Sequence, residues 1–597
     1  MKSACCPPVA HASALVSVRV TVAPSPRAIV LAASVATAHV TDDPVRALTL
    51  AWRALPAPLR GSVRFAGPYG RAAARWGAGE RRAALTALEA SPARLAAFSL
   101  AVDQPQVARS ALARLPQESV ARPVLAARLA YREGRLRDAV RALEGARGGR
   151  ARRLRRALVA EIGMLTPGTL HISPNGPAHL PSTNPAADRG KAPIRGRVLH
   201  IVTDALPPVS AGYTIRTQEI ALAQRAVGLD PHVVTRIGFP VTSGALDGRP
   251  LVSVDGVPYH RLLPWIMPGR VDTVAQTGLR HAARLVEEVQ PAVLHAASNY
   301  QNALLAIALR EAFRLPYVYE VRGFWEDTWL SRHAATANLE SSDRYQRSRE
   351  LESDCMRTAD LVVTLGEAMR AEIIERGVPA DKIVIVPNGV SASFLEPLPD
   401  GTALRRSLGI ADGEYVVGLV SSLVAHEGIG TLLEATAILR DRGLPVRALI
   451  VGDGPERGAL QRRATDLGLD AIFTGRVPMS AVRSHHAVLD VFVVPRTPDR
   501  VCQLVTPLKP VEAMASGLPV VVSAVRALGE IITDKVTGMQ VPPQDAGALA
   551  DCLQELLENP DMRHELGENA RAWVAQDRTW ARGAERYRDA YARLGAV

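Results

Sequence analysis

The stretch Thr506-Pro-Leu-Lys-Pro-Val-Glu-Ala-Met-Ala-Ser-Gly-Leu-Pro-Val-Val-Val-Ser523 decides the architecture. It reads as a short loop, a helix carrying Glu512, a Gly517-Leu-Pro519 turn and then a buried strand. A loop running into a helix start offers backbone N–H groups and the positive end of a dipole, which suits a phosphate. Lys509 adds a mobile cation beside that loop and is one of only five lysines in the chain. Glu512 follows it by about one helical turn, so it faces the same side and can accept hydrogen bonds from hydroxyl groups.

Working outward, the same strand–helix alternation repeats on both sides. Upstream, Arg197-Val-Leu-His-Ile-Val-Thr203 reads as a buried strand, followed by a glycine-bearing loop and a helix from Arg216 to Val227. Further strands are predicted at His232–Thr235, Ala292–His295, Tyr317–Val321, Leu361–Thr364 and Ile383–Val386. A second series covers Tyr415–Leu419, Arg447–Val451, Ile472–Thr474, Val491–Val494 and Val520–Ser523. Alternation of this kind implies parallel sheets with helices on both faces, hence an α/β chain with two Rossmann-like, doubly wound domains. The carboxyl ends of the strands should line the cleft between them.

The rest of the chain has another character. At 597 residues and 47% hydrophobic content it is long enough for three or four domains with large cores. Up to residue 165 there are 26 Lys and Arg against 10 Asp and Glu, whereas the remainder carries 45 against 49. The net charge of +12 therefore belongs to the N-terminal region. Such a region favours an acidic partner, or it reflects an arginine-rich, alanine-rich coding bias. Residues 1 to about 75 give no sharp pattern, and helical spacing is read from about 80 to 163, with breaks at Pro92, Pro105, Pro116 and Gly134. Ala127 to Leu143 resembles a tetratricopeptide helix pair, which makes the region repeat-like. It serves either as a docking surface or as a helical cap on the α/β domains. The run Arg147-Gly-Gly-Arg-Ala-Arg-Arg-Leu-Arg-Arg156 suits an anionic membrane or a solvated helix face.

The predicted domains are 1–165, a basic α-helical region; 166–195, a linker rich in Pro, Gly, Asn and Ser; 196–398, the first Rossmann-like domain; 399–575, the second; and 576–597, a terminal helix. Cysteines at positions 5, 6, 355, 502 and 552 show neither metal-ligand spacing nor a disulfide framework, which points to a reducing cytoplasm. The apolar run Ala28 to Val40 is too short to span a bilayer, and Pro7, Pro8, His11 and Arg19 interrupt any signal-peptide core. The expected location is cytoplasmic, with a peripheral membrane or protein contact through residues 80–160 and no nucleic acid partner.

Glu512-Ala-Met-Ala-Ser-Gly517-Leu-Pro519-Val-Val resembles the nucleotide-sugar signature of retaining glycosyltransferases with the GT-B fold, family 4. Other stretches fall in that family's order: Pro207-Pro-Val-Ser-Ala-Gly212, Ala359-Asp360-Leu-Val-Val, Val384-Ile-Val-Pro387-Asn388-Gly389-Val390, Val451-Gly452-Asp453-Gly454-Pro455 and Thr474-Gly475-Arg476-Val477. The resemblance covers roughly residues 196 to 597 and becomes specific because these pieces stand in register. It implies transfer of a sugar from a nucleotide-diphosphate sugar to a glycan or lipid-linked acceptor, with retention, in surface or extracellular polysaccharide synthesis. No cofactor is implied, and the lack of an Asp-x-Asp motif argues against a metal-held pyrophosphate.

Negative charge grows on the departing phosphate, so cations and aligned amides are required there. The candidate catalytic residues are Lys509, Arg322 and Glu512, with Arg496 and Arg500 as further cations. Donor binding is assigned to Gly212, Arg476, Val477, Arg496, Thr506, Pro507, Leu508, Lys509 and Glu512. The resemblance gives Glu512 the ribose and Arg476 and Val477 the base, and it brings the terminal helix back onto the first domain. Arg322 is expected to pair with a phosphate or with Glu326, and His295 to be a satisfied core histidine.

Three positions depart from the family. The first of its two glutamates separated by seven residues falls on Leu504, and its arginine and lysine of the second domain fall on Ser422 and Glu427. The segment Ser421-Ser-Leu-Val-Ala-His426-Glu427-Gly428 resembles a subgroup that pairs a Tyr/His-Glu-Gly motif with Thr-Pro-Leu-Lys-Pro. The alternatives are a sugar-nucleotide-binding scaffold without turnover, or an epimerase of the same architecture, which the Thr506–Glu512 motif disfavours.

Overall fold

The computed structural model describes residues 24–54, 67–168, 192–333 and 338–597. The predicted linker falls largely on 169–191, outside these residues.

The first sheet has eight strands: β1 (Arg197–Val202), β2 (Asp230–Thr235), β3 (Leu251–Val254), β4 (Val257–Arg261), β5 (Val293–Ala297), β6 (Tyr317–Val321), β7 (Leu361–Thr364) and β8 (Ile383–Ile385). Their order is β3-β4-β2-β1-β5-β6-β7-β8, and only the β3/β4 pair is antiparallel. The second sheet holds β9 (Tyr415–Val420), β10 (Val446–Val451), β11 (Ile472–Gly475), β12 (Val491–Val494), β13 (Val520–Ser523) and β14 (Met539–Val541). It is parallel throughout, in the order β11-β10-β9-β12-β13-β14. Strands β5, β6, β7, β12 and β13 are buried along their whole length, which is why they read as mainly apolar runs, interrupted by His295 in β5 and Glu320 in β6, rather than as alternating ones. In each sheet the winding reverses beside the first strand, between β1 and β5 and between β9 and β12. A parallel sheet opens a crevice at that point, beyond the carboxyl ends of the strands.

Two segments cross between the halves side by side. The Val390 amide donates to the Arg578 carbonyl at 2.8 Å and the Trp580 amide to the Val390 carbonyl at 3.2 Å. Gly389 is required here, because a Cβ would sit 2.9 Å from the Thr579 carbonyl carbon and the Trp580 nitrogen. The helix Trp580–Arg593 then lies on the first domain, where Trp580, Tyr587 and Tyr591 pack with Val198, Ile220 and Val293.

The helical region begins earlier than its sequence pattern indicates. Helices cover Pro26–Asp42, Pro44–Ala54 and Gly67–Gly77, where no periodic signal was expected. The first is apolar on all sides and so shows no polar face to reveal it. Pro92 and Pro105, read as breaks, open helices at a position where a missing N–H costs nothing. The region is a cap on the first domain. The Asp343 carboxylate accepts from the Leu136 and Arg137 amides at 2.7 and 3.1 Å, and Leu136, Met164 and Leu165 join the first domain's core.

Candidate functional site

The crevice between β9 and β12 collects the groups singled out in the sequence. Ser421 follows β9, Pro495 and Arg496 follow β12, and Pro507, Lys509 and Pro510 close the far side. The enclosed space is only about 20 Å³, room for a single water. Two helix starts flank it, Ile429–Asp441 and Lys509–Ala515. Gly428, at φ +66°, begins the first of these, and a Cβ there would collide with the Pro495 carbonyl. The two loops therefore touch only because this residue is glycine.

Arg496 spans the crevice. It donates to Glu427 Oε1 at 2.7 Å and to the Val505 carbonyl at 3.0 Å, while its buried Nε has no acceptor. The buried hydroxyls of Ser421 and Thr506 likewise have no partner among the described residues. The amides of Leu508 and Lys509 donate to no other group among the described residues. Lys509 makes no ion pair or hydrogen bond among them either, although its charge reaches both Glu427 and Glu512. Burial opposes ionisation of Glu427, but Arg496 and then Lys509 hold its carboxyl down at about 2. The glutamate that replaces the family's lysine is thus a half-buried anion neutralised by the arginine across the crevice.

Glu512 is 6% exposed, and its carboxylate accepts no hydrogen bond among the described residues. Burial pushes it up to about 7; Lys509 opposes the shift, and Glu219 of the facing helix Gly212–Ala226 adds to it. Influence from Glu219 places Glu512 opposite the first domain.

The remaining candidates separate. Thr506 is buried, and its carbonyl accepts from Asn388 Nδ2 at 3.0 Å at the hinge. Pro507 lines the crevice, whereas Leu508 packs into the apolar cluster around Trp580 and Tyr587. Leu508 therefore gives its side chain to the domain contact, between two residues that line the crevice. Val477 packs on the second domain's core and Arg476 is exposed, both beyond the edge strand β11. Gly212 is exposed at the start of its helix, where a Cβ would meet open space. A need for glycine at this position does not follow from packing.

Two arginines have other work. Arg500 pairs with Asp327 at 3.2 Å and Glu372 at 2.6 Å in the first domain, so it ties the halves together rather than lining the crevice. Arg322 does not meet Glu326, which pairs with Arg376 at 2.6 Å. It donates instead to Glu320 at 2.7 Å, to Thr217 Oγ1 at 2.7 Å and to the Tyr213 carbonyl at 2.9 Å, which fixes the helix behind the Gly212 loop. Glu320, not selected from the sequence, is fully buried at the centre of this group. It also accepts from Arg216 at 2.9 Å, Tyr587 at 2.8 Å and His295 Nε2 at 3.1 Å. His295 Nδ1 then accepts from the Tyr591 hydroxyl at 2.7 Å, so that histidine is satisfied in the core.

Comparison with known proteins bears on the two domains that form the crevice. Residues 211–389 match the glycosyl transferase 4-like domain and residues 400–573 match the glycosyl transferases group 1 model, together more than half of the chain. The chain belongs to the family-4-like glycosyltransferases. This glycosyltransferase is 33% identical over 232 residues to a GDP-mannose-dependent alpha-(1-6)-phosphatidylinositol monomannoside mannosyltransferase of Mycolicibacterium smegmatis, 38% of this chain and 60% of that one. It spans less than two thirds of that relative's length. It is 28% identical over 422 residues to a D-inositol 3-phosphate glycosyltransferase of Nocardia farcinica, 67% of this chain and 89% of that one. In fold it is similar to sucrose-phosphate synthase from Thermosynechococcus elongatus, with TM-score 0.56 and 21% identity over 67% of this chain and 99% of that one. It is also similar to Anabaena HepE solved with UDP and glucose, with TM-score 0.52 and 19% identity over 66% of this chain and 99% of that one.

Proposed function

We propose that the protein transfers a hexosyl group, with retention and without a metal, from a nucleotide-diphosphate sugar to a glycan or lipid-linked acceptor in surface or extracellular polysaccharide synthesis. The observation that carries this reading is the β9/β12 crevice, lined by Arg496, Lys509, Glu427 and the Ser421 hydroxyl, with the Thr506–Lys509 loop leading into the helix that carries Glu512. The diphosphate would take the amides of Leu508 and Lys509 with the Lys509 ammonium and Arg496, and the ribose hydroxyls would donate to Glu512. Arg476 and Val477 are assigned to the base, and Gly212 to close approach of the acceptor-side loop. Charge developing on the leaving phosphate is met by Lys509 and Arg496. The leaving phosphate itself then takes the acceptor proton on the same face of the sugar. Arg322 acts through the Gly212 loop as a positioning residue. The basic helical region is offered to a peripheral membrane or protein contact. HepE, which was solved with UDP and with UDP-glucose, supports a diphospho-sugar as ligand.

Calorimetry with UDP-, GDP-, ADP- and dTDP-sugars tests this reading: one of them should bind, and Lys509→Met should weaken it by about a hundredfold. Silence across all four would end the proposal. A second reading, a sugar-nucleotide binder without turnover, draws on Glu427, whose carboxylate already occupies the Arg496 guanidinium. It predicts binding without transfer to membrane-extracted acceptors. Glu427→Gln should then tighten nucleotide-sugar binding by about tenfold, because a like charge leaves the crevice.

A further inference from the structure

The helix Pro26–Asp42 carries no Asp, Glu, Lys or Arg between Ala28 and Thr41. One face is used: Ala28 and Leu31 pack with Val241, Leu263 and Met267 of the first domain, and Ser34 Oγ accepts from the Met267 amide at 3.1 Å. The opposite face repeats Ile29, Ala33, Ala36 and Val40 at helical spacing and lies open, with Ile29 52% and Val40 58% exposed. At the start of the helix Trp265 and Ile266 project from the loop after β4, 54% and 67% exposed, and the Arg27 guanidinium sits 5.1 Å over the Trp265 ring. At its other end a groove of about 720 Å³ is lined by Arg128, Arg150, Arg152, Arg153, Arg156 and Arg270, against Asp42 and Asp43. Arg128 is held by Asp43 at 2.9 Å and Arg270 by Asp272 at 2.7 Å. Arg150, Arg152, Arg153 and Arg156 meet no acidic side chain among the described residues.

An uncharged helix stretch of about 20 Å, flanked by an exposed tryptophan and by unpaired arginines, matches the chemistry of a lipid interface. No helix among the described residues is long and apolar enough to cross a membrane, so the helix lies in the plane. A second copy is disfavoured, since pairing this face with itself would bring two arginine clusters into one interface. We infer that this face rests on an anionic lipid bilayer, with Ile29, Val40, Trp265 and Ile266 at headgroup depth and Arg150, Arg153 and Arg156 gripping lipid phosphates. The loop carrying Trp265 leaves the carboxyl end of β4, the edge of the first sheet that faces the cleft, so docking would present the cleft to the membrane. This inference extends the proposed peripheral contact, but its evidence and test are independent of sugar transfer.

The test is sedimentation of the full chain with vesicles, without sugar nucleotide, in pure phosphatidylcholine and in two parts phosphatidylcholine to one part phosphatidylglycerol. Binding is expected to the anionic vesicles only, and to weaken with salt. Arg150→Glu, Arg153→Glu and Arg156→Glu combined should lower it on the order of a hundredfold. Ile29→Ser with Val40→Ser should lower it by about tenfold or more at unchanged melting temperature, because both side chains are solvent-facing. Equal binding to neutral vesicles, no binding to either, or indifference to both variants would overturn the inference. So would concentration-dependent dimerisation without lipid that the Val40 variant abolishes, since a second copy would then own the face.

Discussion

Glu512 is the residue to which the proposed donor site assigns the ribose, and its protonation is testable. Burial holds it up at about 7, so near neutrality a substantial part carries a proton and cannot accept from two hydroxyls at once. A nucleotide-diphosphate sugar has no phosphate group titrating between pH 6 and 8, so a pH dependence of its binding in that range reports on the protein. Affinity is expected to rise by about tenfold from pH 6 to 8, and Glu512→Gln should flatten the curve at the low-pH value. Calorimetry at four pH values decides it; a curve unchanged in the variant would remove Glu512 from the ribose. The stability sign runs the other way. A carboxyl with its folded value raised above 4.5 costs stability once ionised, so the Glu512 contribution declines as pH climbs from 4.5 to about 7. Glu427, held at about 2, is stabilising above 4.5 and loses that contribution as acid approaches 2.

Among the elements, the helix Trp580–Arg593 carries a buried charge cluster rather than an ordinary amphipathic contact. Glu320 faces two arginines, a tyrosine and a histidine, and Arg322 with Arg216 holds its carboxyl far below the ordinary range in spite of burial. Removing the negative charge strands Arg216, which is itself 2% exposed and reaches the Val386 and Pro387 carbonyls at 2.8 and 3.1 Å. Glu320→Gln should therefore cost about 3–5 kcal/mol in urea unfolding. Tyr587→Phe, which removes one hydrogen bond from the same carboxylate, should cost about 1–2 kcal/mol. A loss below about 1 kcal/mol for Glu320→Gln would mean the cluster adds little. This element also marks how far the sequence is legible. Eleven of the fourteen strands were readable because buried strands are rich in valine, isoleucine and leucine, and β12 and β13 match that pattern residue for residue; β3, β4 and β14 were missed, since β3 and β4 alternate in burial and β14 is only three residues long. The Lys509–Ala515 helix was readable from its loop and the Gly517 turn. Glu320 was not, because its partners stand 104 and 267 positions away and no local spacing joins them. The helix Pro26–Asp42 failed for another reason: two apolar faces leave no period to detect.

At the scale of the whole molecule, the cleft is held shut by charge. Arg500 reaches Asp327 and Glu372, Glu530 accepts from the Glu367 and Ala368 amides at the start of a first-domain helix at 2.8 and 2.5 Å, and Asn388 holds the Thr506 carbonyl beside the hinge. For the proposed donor to enter, the crevice of about 20 Å³ has to widen, and these ties are the contacts that would yield. The sequence offers Arg500 as one of several cations for the leaving phosphate; only the approach of the other domain reveals its two carboxylates. It is 43% exposed, so the latch is a marginal one that salt weakens. Arg500→Ala should change unfolding stability by less than about 1 kcal/mol, since Glu372 keeps Arg349 and Arg376. Its effect should appear in domain geometry instead. The radius of gyration in solution scattering should rise, saturating donor should restore the compact value, and turnover should fall by about threefold to fivefold as closure becomes less populated. High salt should produce the same expansion in the unaltered chain and add nothing in the variant. Scattering curves that coincide for both proteins at low salt would show that the contact is incidental and that the hinge alone sets the cleft.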